Sequence, residues 1–142
     1  MPSYYEFFAG GGMARAGLGP DWSCVFANDI DEKKGAAYKA NWGAEHLKIA
    51  DVASLTTGTL PGRADLAWAS FPCQDLSLAG AGAGLEGYRS GTFWPFWKLV
   101  CDLNGKVDRA LMAIGCRNPG QSLTIPKAND VAYAHEFWEP GR

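Results

Sequence analysis

The sequence predicts an α/β fold in which a parallel sheet carries helices on both faces, and three observations point to it. Short apolar runs alternate with segments of helical composition, the connections between them are short, and the first run passes into the first helix through Gly10-Gly11-Gly12. Alternating strands and helices of this kind build a parallel sheet whose ligands gather at the carboxyl ends of the strands.

Tyr4 to Phe8 is an aromatic run that stops at the glycines, and Met13 to Leu18 reads as a short helix, which makes a strand, a glycine turn and a helix. Cys24 to Ala27 is a second apolar run, closed by Asn28-Asp29. Asp31 to Asn41 is then helical, with Asp31 in the place of an N-cap. Asp51-Val52 reads as a turn ahead of the third unit. There Ala64 to Ala69 forms a buried strand, ending at Ser70-Phe71-Pro72-Cys73-Gln74 and a glycine-rich stretch to Gly91. Thr92 to Leu103 is the next helix. Val107 to Ile114 is apolar enough for a further helix, broken by Asn118-Pro119-Gly120, and Gln121 to Arg142 shows no periodicity. The expected division is a partial α/β domain over 1–104 and a C-terminal tail over 105–142.

The chain has 142 residues, 47% hydrophobic and 20% charged, the composition of one globular domain with a real core, which excludes a disordered tail. A formal net charge of -2 provides no global basic field, so any contact with nucleic acid has to be local or shared. Cys24, Cys73, Cys101 and Cys116 lack the close spacing of a zinc site and the density of a disulfide scaffold. No metal site is expected, and reduced thiols are. There is no basic leader followed by an apolar stretch and no run long enough to span a bilayer, so the expected location is cytoplasmic, without membrane contact.

The glycines let the backbone turn tightly and approach a ligand closely, although an ordinary tight turn explains them about as well. Asp29 lies at the end of the second strand, about 20 residues on, where such folds place a carboxylate on ribose hydroxyls. A turn or capping role competes with that reading. Asp51-Val52 offers an acceptor for an exocyclic amine and an apolar wall, or simply a turn.

Phe71-Pro72-Cys73-Gln74 sets a cysteine just past the third strand, where this architecture collects its active site. Free cysteine is most often a small packing hydrophobe. Here, however, Pro72 fixes the local backbone and a Gly- and Ala-rich stretch follows, with Arg89 as the cation available to stabilise a thiolate. Trp94, Phe96 and Trp97 read as core or interface residues before they read as stacking platforms. His46 and His135 have no ligand-like neighbours.

Taken together, Phe7-Phe8-Ala9-Gly10-Gly11-Gly12, Ala27-Asn28-Asp29-Ile30-Asp31, Asp51-Val52 and Ser70-Phe71-Pro72-Cys73-Gln74-Asp75-Leu76-Ser77 resemble the DNA (cytosine-5) methyltransferase family in order and spacing. Gly80 to Phe93, with Arg89-Ser90-Gly91-Thr92, resembles that family's catalytic loop, and the likeness runs from about Tyr4 to Val100. It implies a Rossmann-like fold for S-adenosylmethionine-dependent methyl transfer. Phe8, Ala9, Gly10 and Gly12 would lie around the methionine part, Asp29 on the ribose beside Ile30, and Asp51 and Val52 at the adenine. It implies Cys73 as the nucleophile held by Pro72, with Arg89 near the base or a phosphate, and double-stranded DNA as partner. In the family mechanism the thiolate adds to C6 of a flipped-out cytosine, C5 takes the methyl group from the sulfonium, and elimination releases 5-methylcytosine. A small-molecule methyltransferase or a dehydrogenase with a similar glycine turn does not predict Phe-Pro-Cys-Gln followed by Arg-Ser-Gly-Thr.

The sequence departs from the family pattern at Glu6, where Asp is common, and at Met13, where a further glycine is usual. It also contains no Glu-Asn-Val segment to protonate the cytosine ring nitrogen, no Gln-Arg-Arg segment and no target-recognition domain. Loss of general acid help costs about 10²–10⁴-fold in rate. The expectation is therefore a truncated product or one subunit of a split enzyme completed by a second chain, the alternative being an inactive S-adenosylmethionine-binding remnant or scaffold.

Overall fold

The computed structural model describes residues 1–71, 92–103 and 106–114. They form a five-stranded sheet in the order β3-β2-β1-β4-β5, in which every neighbouring pair is parallel. The strands are β1 (Ser3–Phe7), β2 (Ser23–Asp29), β3 (Leu47–Ile49), β4 (Ala64–Phe71) and β5 (Val107–Ile114). The helices are α1 (Met13–Leu18), α2 (Glu32–Trp42) and α3 (Phe93–Asp102), with one 3-10 turn over Val52–Ser54. Strand order reverses between β1 and its neighbours β2 and β4, the arrangement that opens a ligand crevice at the carboxyl edge.

Period-two alternation along β1 sends Tyr5 and Phe7 to one face and Tyr4 to the other. The first face joins Phe26, Val52, Leu55, Leu60, Ala67, Ala69 and Phe71 to Phe96, Leu99 and Leu103 in and after α3. The second joins Cys24, Ala27 and Leu66 to Tyr38 of α2, with Leu18 of α1 packed against it. Helices therefore cover both faces, as expected. A bulge in β2 interrupts the alternation: Tyr4 pairs with Cys24 but Tyr5 with Phe26. Val25 is the extra residue, and both Val25 and Phe26 pack against the first cluster.

Asp31 caps α2 as its sequence position suggests, its side chain accepting the amides of Lys33 (2.8 Å) and Lys34 (3.1 Å). Those amides, Lys34 first, hold its carboxyl below the ordinary range. Gly35 brings α2 close to β3, since a Cβ built there would lie 2.2 Å from Ile49 Cδ1.

Two elements differ from expectation. β3 has only three residues, too short to show a period. Val107 to Ile114 is strand β5 and not a helix, paired with β4 from Ala64↔Val107 to Phe71↔Ile114. Ladder formation along β4 outweighs the helical preference of its Arg, Ala, Leu and Met residues. No helix among the described residues is long and apolar enough to cross a membrane. No group of three or more metal-ligating side chains occurs among them either.

Candidate functional site

The carboxyl ends of β1, β2, β3 and β4 bring the glycine turn, Asp29-Ile30, Asp51-Val52 and Phe71 to one edge of the sheet. Three left-handed residues shape the turn: Phe8 (φ 54°), Gly10 (φ 56°) and Gly12 (φ 87°). Such a φ is a genuine strain for a bulky residue, about 1–2 kcal/mol, and strain of this kind gathers at functional sites. Phe8 is held there by its ring against Phe71 (centroids 4.8 Å apart) and Phe96 (6.1 Å), and by the Ala9 amide donating to the Asn28 carbonyl at 2.9 Å.

Side chains from three elements hold the polar backbone groups of the turn. One carboxylate oxygen of Asp29 accepts the Gly10 amide at 2.8 Å, while the other accepts the Asp31 amide at 2.9 Å. The indole N–H of Trp42 donates to the Gly11 carbonyl at 3.0 Å. Glu6 accepts the Ala14 amide at 3.2 Å through Oε1. Among the described residues a Cβ built on Gly10 or Gly11 meets nothing within 4 Å, whereas one on Gly12 would lie 2.2 Å from Trp42 Nε1. The first two glycines thus leave an open backbone strip, and the third makes room for an indole.

Beneath the turn lies a buried polar cluster. Glu6 is fully buried, and burial pushes its carboxyl up to about 7 against the weaker pull of the Arg15 and Ala14 amides. Among the described residues its Oε2, like the Tyr4 hydroxyl, has no hydrogen-bond partner. Tyr38 receives a hydrogen bond from Arg15 at 3.1 Å and lies 3.5 Å from the Cys24 sulfur. Desolvation raises the Cys24 thiol and both tyrosines. The Arg15 guanidinium stands 5.2 Å from the Trp42 ring centroid and 6.0 Å from that of Tyr38.

Of the residues singled out from sequence, Phe8, Ala9, Gly10, Gly12, Asp29 and Ile30 meet at this edge. Ile30 is 64% exposed, next to the nearly buried Asp29. Asp51 caps the 3-10 turn by accepting the Ala53 amide at 2.9 Å, and Val52 is buried in the larger cluster. Asn28 ties β2 to the end of β3 through the Lys48 and Ala50 carbonyls (3.1 and 2.9 Å), and Ala50 donates to the Asp29 carbonyl at 3.0 Å. Pro72, Cys73 and Arg89 lie outside the described residues; in sequence, Pro72 and Cys73 directly follow Phe71, the last residue of β4. Phe96 is fully buried core, as read from sequence, while Trp94 is 50% exposed. Sequence reasoning missed Trp42, which reaches the turn from 31 positions away; its only local sign is an aromatic residue closing the helix.

The family model described as C-5 cytosine-specific DNA methylase matches residues 3–107. The chain is 31% identical over 100 residues to the type II methyltransferase M.HpaII of Haemophilus parainfluenzae, an alignment covering 69% of this chain and 27% of that protein. It is 32% identical over 131 residues to the type II methyltransferase M.AluI of Cellulosimicrobium cellulans, covering 87% of this chain and 25% of that one. The chain thus spans about a quarter of the length of these relatives. Among solved structures, the S. pombe Dnmt2 methyltransferase superposes with a TM-score of 0.59 at 21% identity, over 76% of this chain and 34% of the other, which shows the shared fold. With a matched stretch reaching from β1 to the start of β5 and a fold of the same kind, this chain belongs to the C-5 cytosine-specific DNA methylase family.

Proposed function

We propose that this chain supplies the S-adenosylmethionine-binding and nucleophile-bearing part of a DNA cytosine-5 methyltransferase. The observation that carries the reading is the open backbone strip at Gly10 and Gly11, flanked by the Asp29 carboxylate. The residues present suit the group. The strip admits a chain lying against the backbone, and both Asp29 oxygens keep a second lone pair for hydroxyls after accepting the Gly10 and Asp31 amides. Ile30 presents an exposed apolar surface beside them. Asp51 offers a further acceptor for an amine, and the carboxylates suit a cationic sulfonium. When bound, S-adenosylmethionine supplies the methyl group; the protein binds it, orients it and keeps water from it.

Cys73 follows the carboxyl end of β4, and its thiolate is the nucleophile of this reading. The new S–C6 bond would form as the C5–C6 π pair shifts toward C5, and C5 would then take the methyl carbon as the sulfonium's S–CH3 bond breaks with its pair left on sulfur, giving a neutral thioether. Removal of the C5 proton expels the thiolate and restores the aromatic ring. Arg89 stabilises the thiolate or a phosphate, and Pro72 fixes the backbone before the nucleophile. The acid that protonates N3 has no counterpart in this sequence, and the reading assigns it to segments outside this sequence, in a longer form of the chain or in a second one, with double-stranded DNA as the substrate. The free Cys24 thiol fits a reducing, cytoplasmic setting.

The test is incubation of the chain with labelled S-adenosylmethionine and DNA carrying 5-fluorocytosine, whose C5–F bond blocks the final elimination. A covalent adduct that disappears in Cys73→Ser is the expected result once the missing segments are added in trans. Absence of cofactor binding in the unmodified chain would overturn the reading.

A further inference from the structure

We propose that Trp42 is a positioning residue for the glycine turn, and that Gly12 is a glycine for the sake of this indole and not of the ligand. The proposal rests on the cofactor reading of the turn. A segment with left-handed residues at 8, 10 and 12 has many competing conformations, because glycine visits both signs of φ freely. Within the turn the Gly12 amide donates to the Ala9 carbonyl at 2.8 Å, and contacts from outside the turn settle the rest. The Asp29 carboxylate fixes the Gly10 amide and the Glu6 carboxylate the Ala14 amide, but neither touches the peptide between Gly11 and Gly12. Trp42 does so twice. Its Nε1 donates to the Gly11 carbonyl at 3.0 Å, and its five-membered ring occupies the space of a Gly12 side chain, with Nε1 2.2 Å and Cδ1 2.6 Å from a Cβ built there.

The indole also meets the Arg15 guanidinium, 5.2 Å from its ring centroid, which keeps the ring from swinging away from the turn. Arg15 is anchored in its turn by the Tyr38 hydroxyl, also on α2. α1 and the C-terminal half of α2 are thereby locked onto the same peptide. With its carbonyl directed to Trp42, the Gly11 peptide has a fixed orientation, and the open sides of Gly10 and Gly11 stay directed away from the protein. A ligand meeting the strip then finds it already in shape, without the ordering cost a free glycine turn would exact.

The experiment compares the full chain with Trp42→Phe, which keeps an aromatic ring and removes the N–H, and with Trp42→Ala. Hydrogen exchange of the peptide covering residues 8–16 is measured without cofactor, and S-adenosylmethionine affinity by calorimetry. Trp42→Phe should accelerate exchange in that peptide, leave peptides from β1, β2 and β4 unchanged, and weaken S-adenosylmethionine by about three- to tenfold. Trp42→Ala should do more of both, and Gly12→Ala should harm binding less in the Trp42→Ala background than alone. Unchanged exchange at 8–16 in Trp42→Phe, or acceleration spread evenly over the sheet, overturns the proposal. If the parent chain does not bind S-adenosylmethionine, the cofactor reading fails while the exchange comparison still decides the role of Trp42.

Discussion

The Asp29 carboxylate and the Gly10 amide are joined by a 2.8 Å hydrogen bond that ties the end of β2 to the turn after β1. The same carboxylate also receives the Asp31 amide, so it braces two connections before any ligand arrives. Asp29→Asn replaces one acceptor by an NH2 group facing a backbone N–H. A hydrogen bond to a charged group contributes about 1.5–3 kcal/mol, so a loss near the lower figure in denaturant titrations is expected, with S-adenosylmethionine affinity down at least about tenfold. If the Asp29→Asn variant were as stable and as tight-binding as the parent, the brace would be dispensable.

Glu6 gives the fold a pH dependence. Its carboxyl is raised by burial from 4.5 to about 7, so the folded state holds the proton where the unfolded chain has released it. Stability from this group is complete below about 4.5 and is lost as pH climbs through about 7, by about 3 kcal/mol in all. Tyr4 from β1, Cys24 from β2, Arg15 from α1 and Tyr38 from α2 interact with this carboxyl or lie in the same cluster. Desolvation pushes the thiol and the two tyrosines further upward, away from this window. Melting temperature between pH 5 and 8 should fall for the parent and stay nearly flat for Glu6→Gln.

Adjacent glycines of the turn should respond in opposite ways to one methyl group. Gly11→Ala places a Cβ in open space and should change stability by less than about 0.5 kcal/mol while obstructing the strip, so cofactor affinity drops without a change in melting. Gly12→Ala combines left-handed strain with collision against Trp42 and should cost about 2–4 kcal/mol. Equal effects of the two substitutions on melting would contradict this division.

Phe96 is fully buried and meets Phe7 and Phe71 edge-on, at 5.1 Å in each case. Phe96→Ala should cost about 3–5 kcal/mol in urea titration, and because Phe8 leans on the same ring, cofactor affinity should fall with it. Phe96→Leu, which restores most of the volume, should recover the larger part of both.

The legible parts of the molecule are those whose cause is local. The β1-turn-α1 unit follows from an aromatic run, three glycines and a helix former, and the Asp31 cap from a side chain acting two and three residues ahead. β3 is too short to carry a pattern, and β5 takes its conformation from β4, not from its own residues. Within the site, Gly10 and Asp29 could be picked out by position, yet their mutual hydrogen bond could not. The double engagement of Trp42 with Gly11 and Gly12 is a property of how α2 ends in space, to which no residue near the turn gives a clue.

The bulge at Val25 acts as a parity switch for the whole carboxyl edge. Side chains upstream of it count from Cys24, those downstream from Phe26, and the extra residue offsets the two series by one. Asp29 and Asn28 owe their respective sides of the sheet to that offset. A regular ladder that kept Val25 and paired it with Tyr5, with no change of composition at all, would force either Cys24 out of its pocket beside Tyr38 or the carboxylate off the glycine turn, so the chemistry at the end of β2 depends on the bulge as much as on the residues.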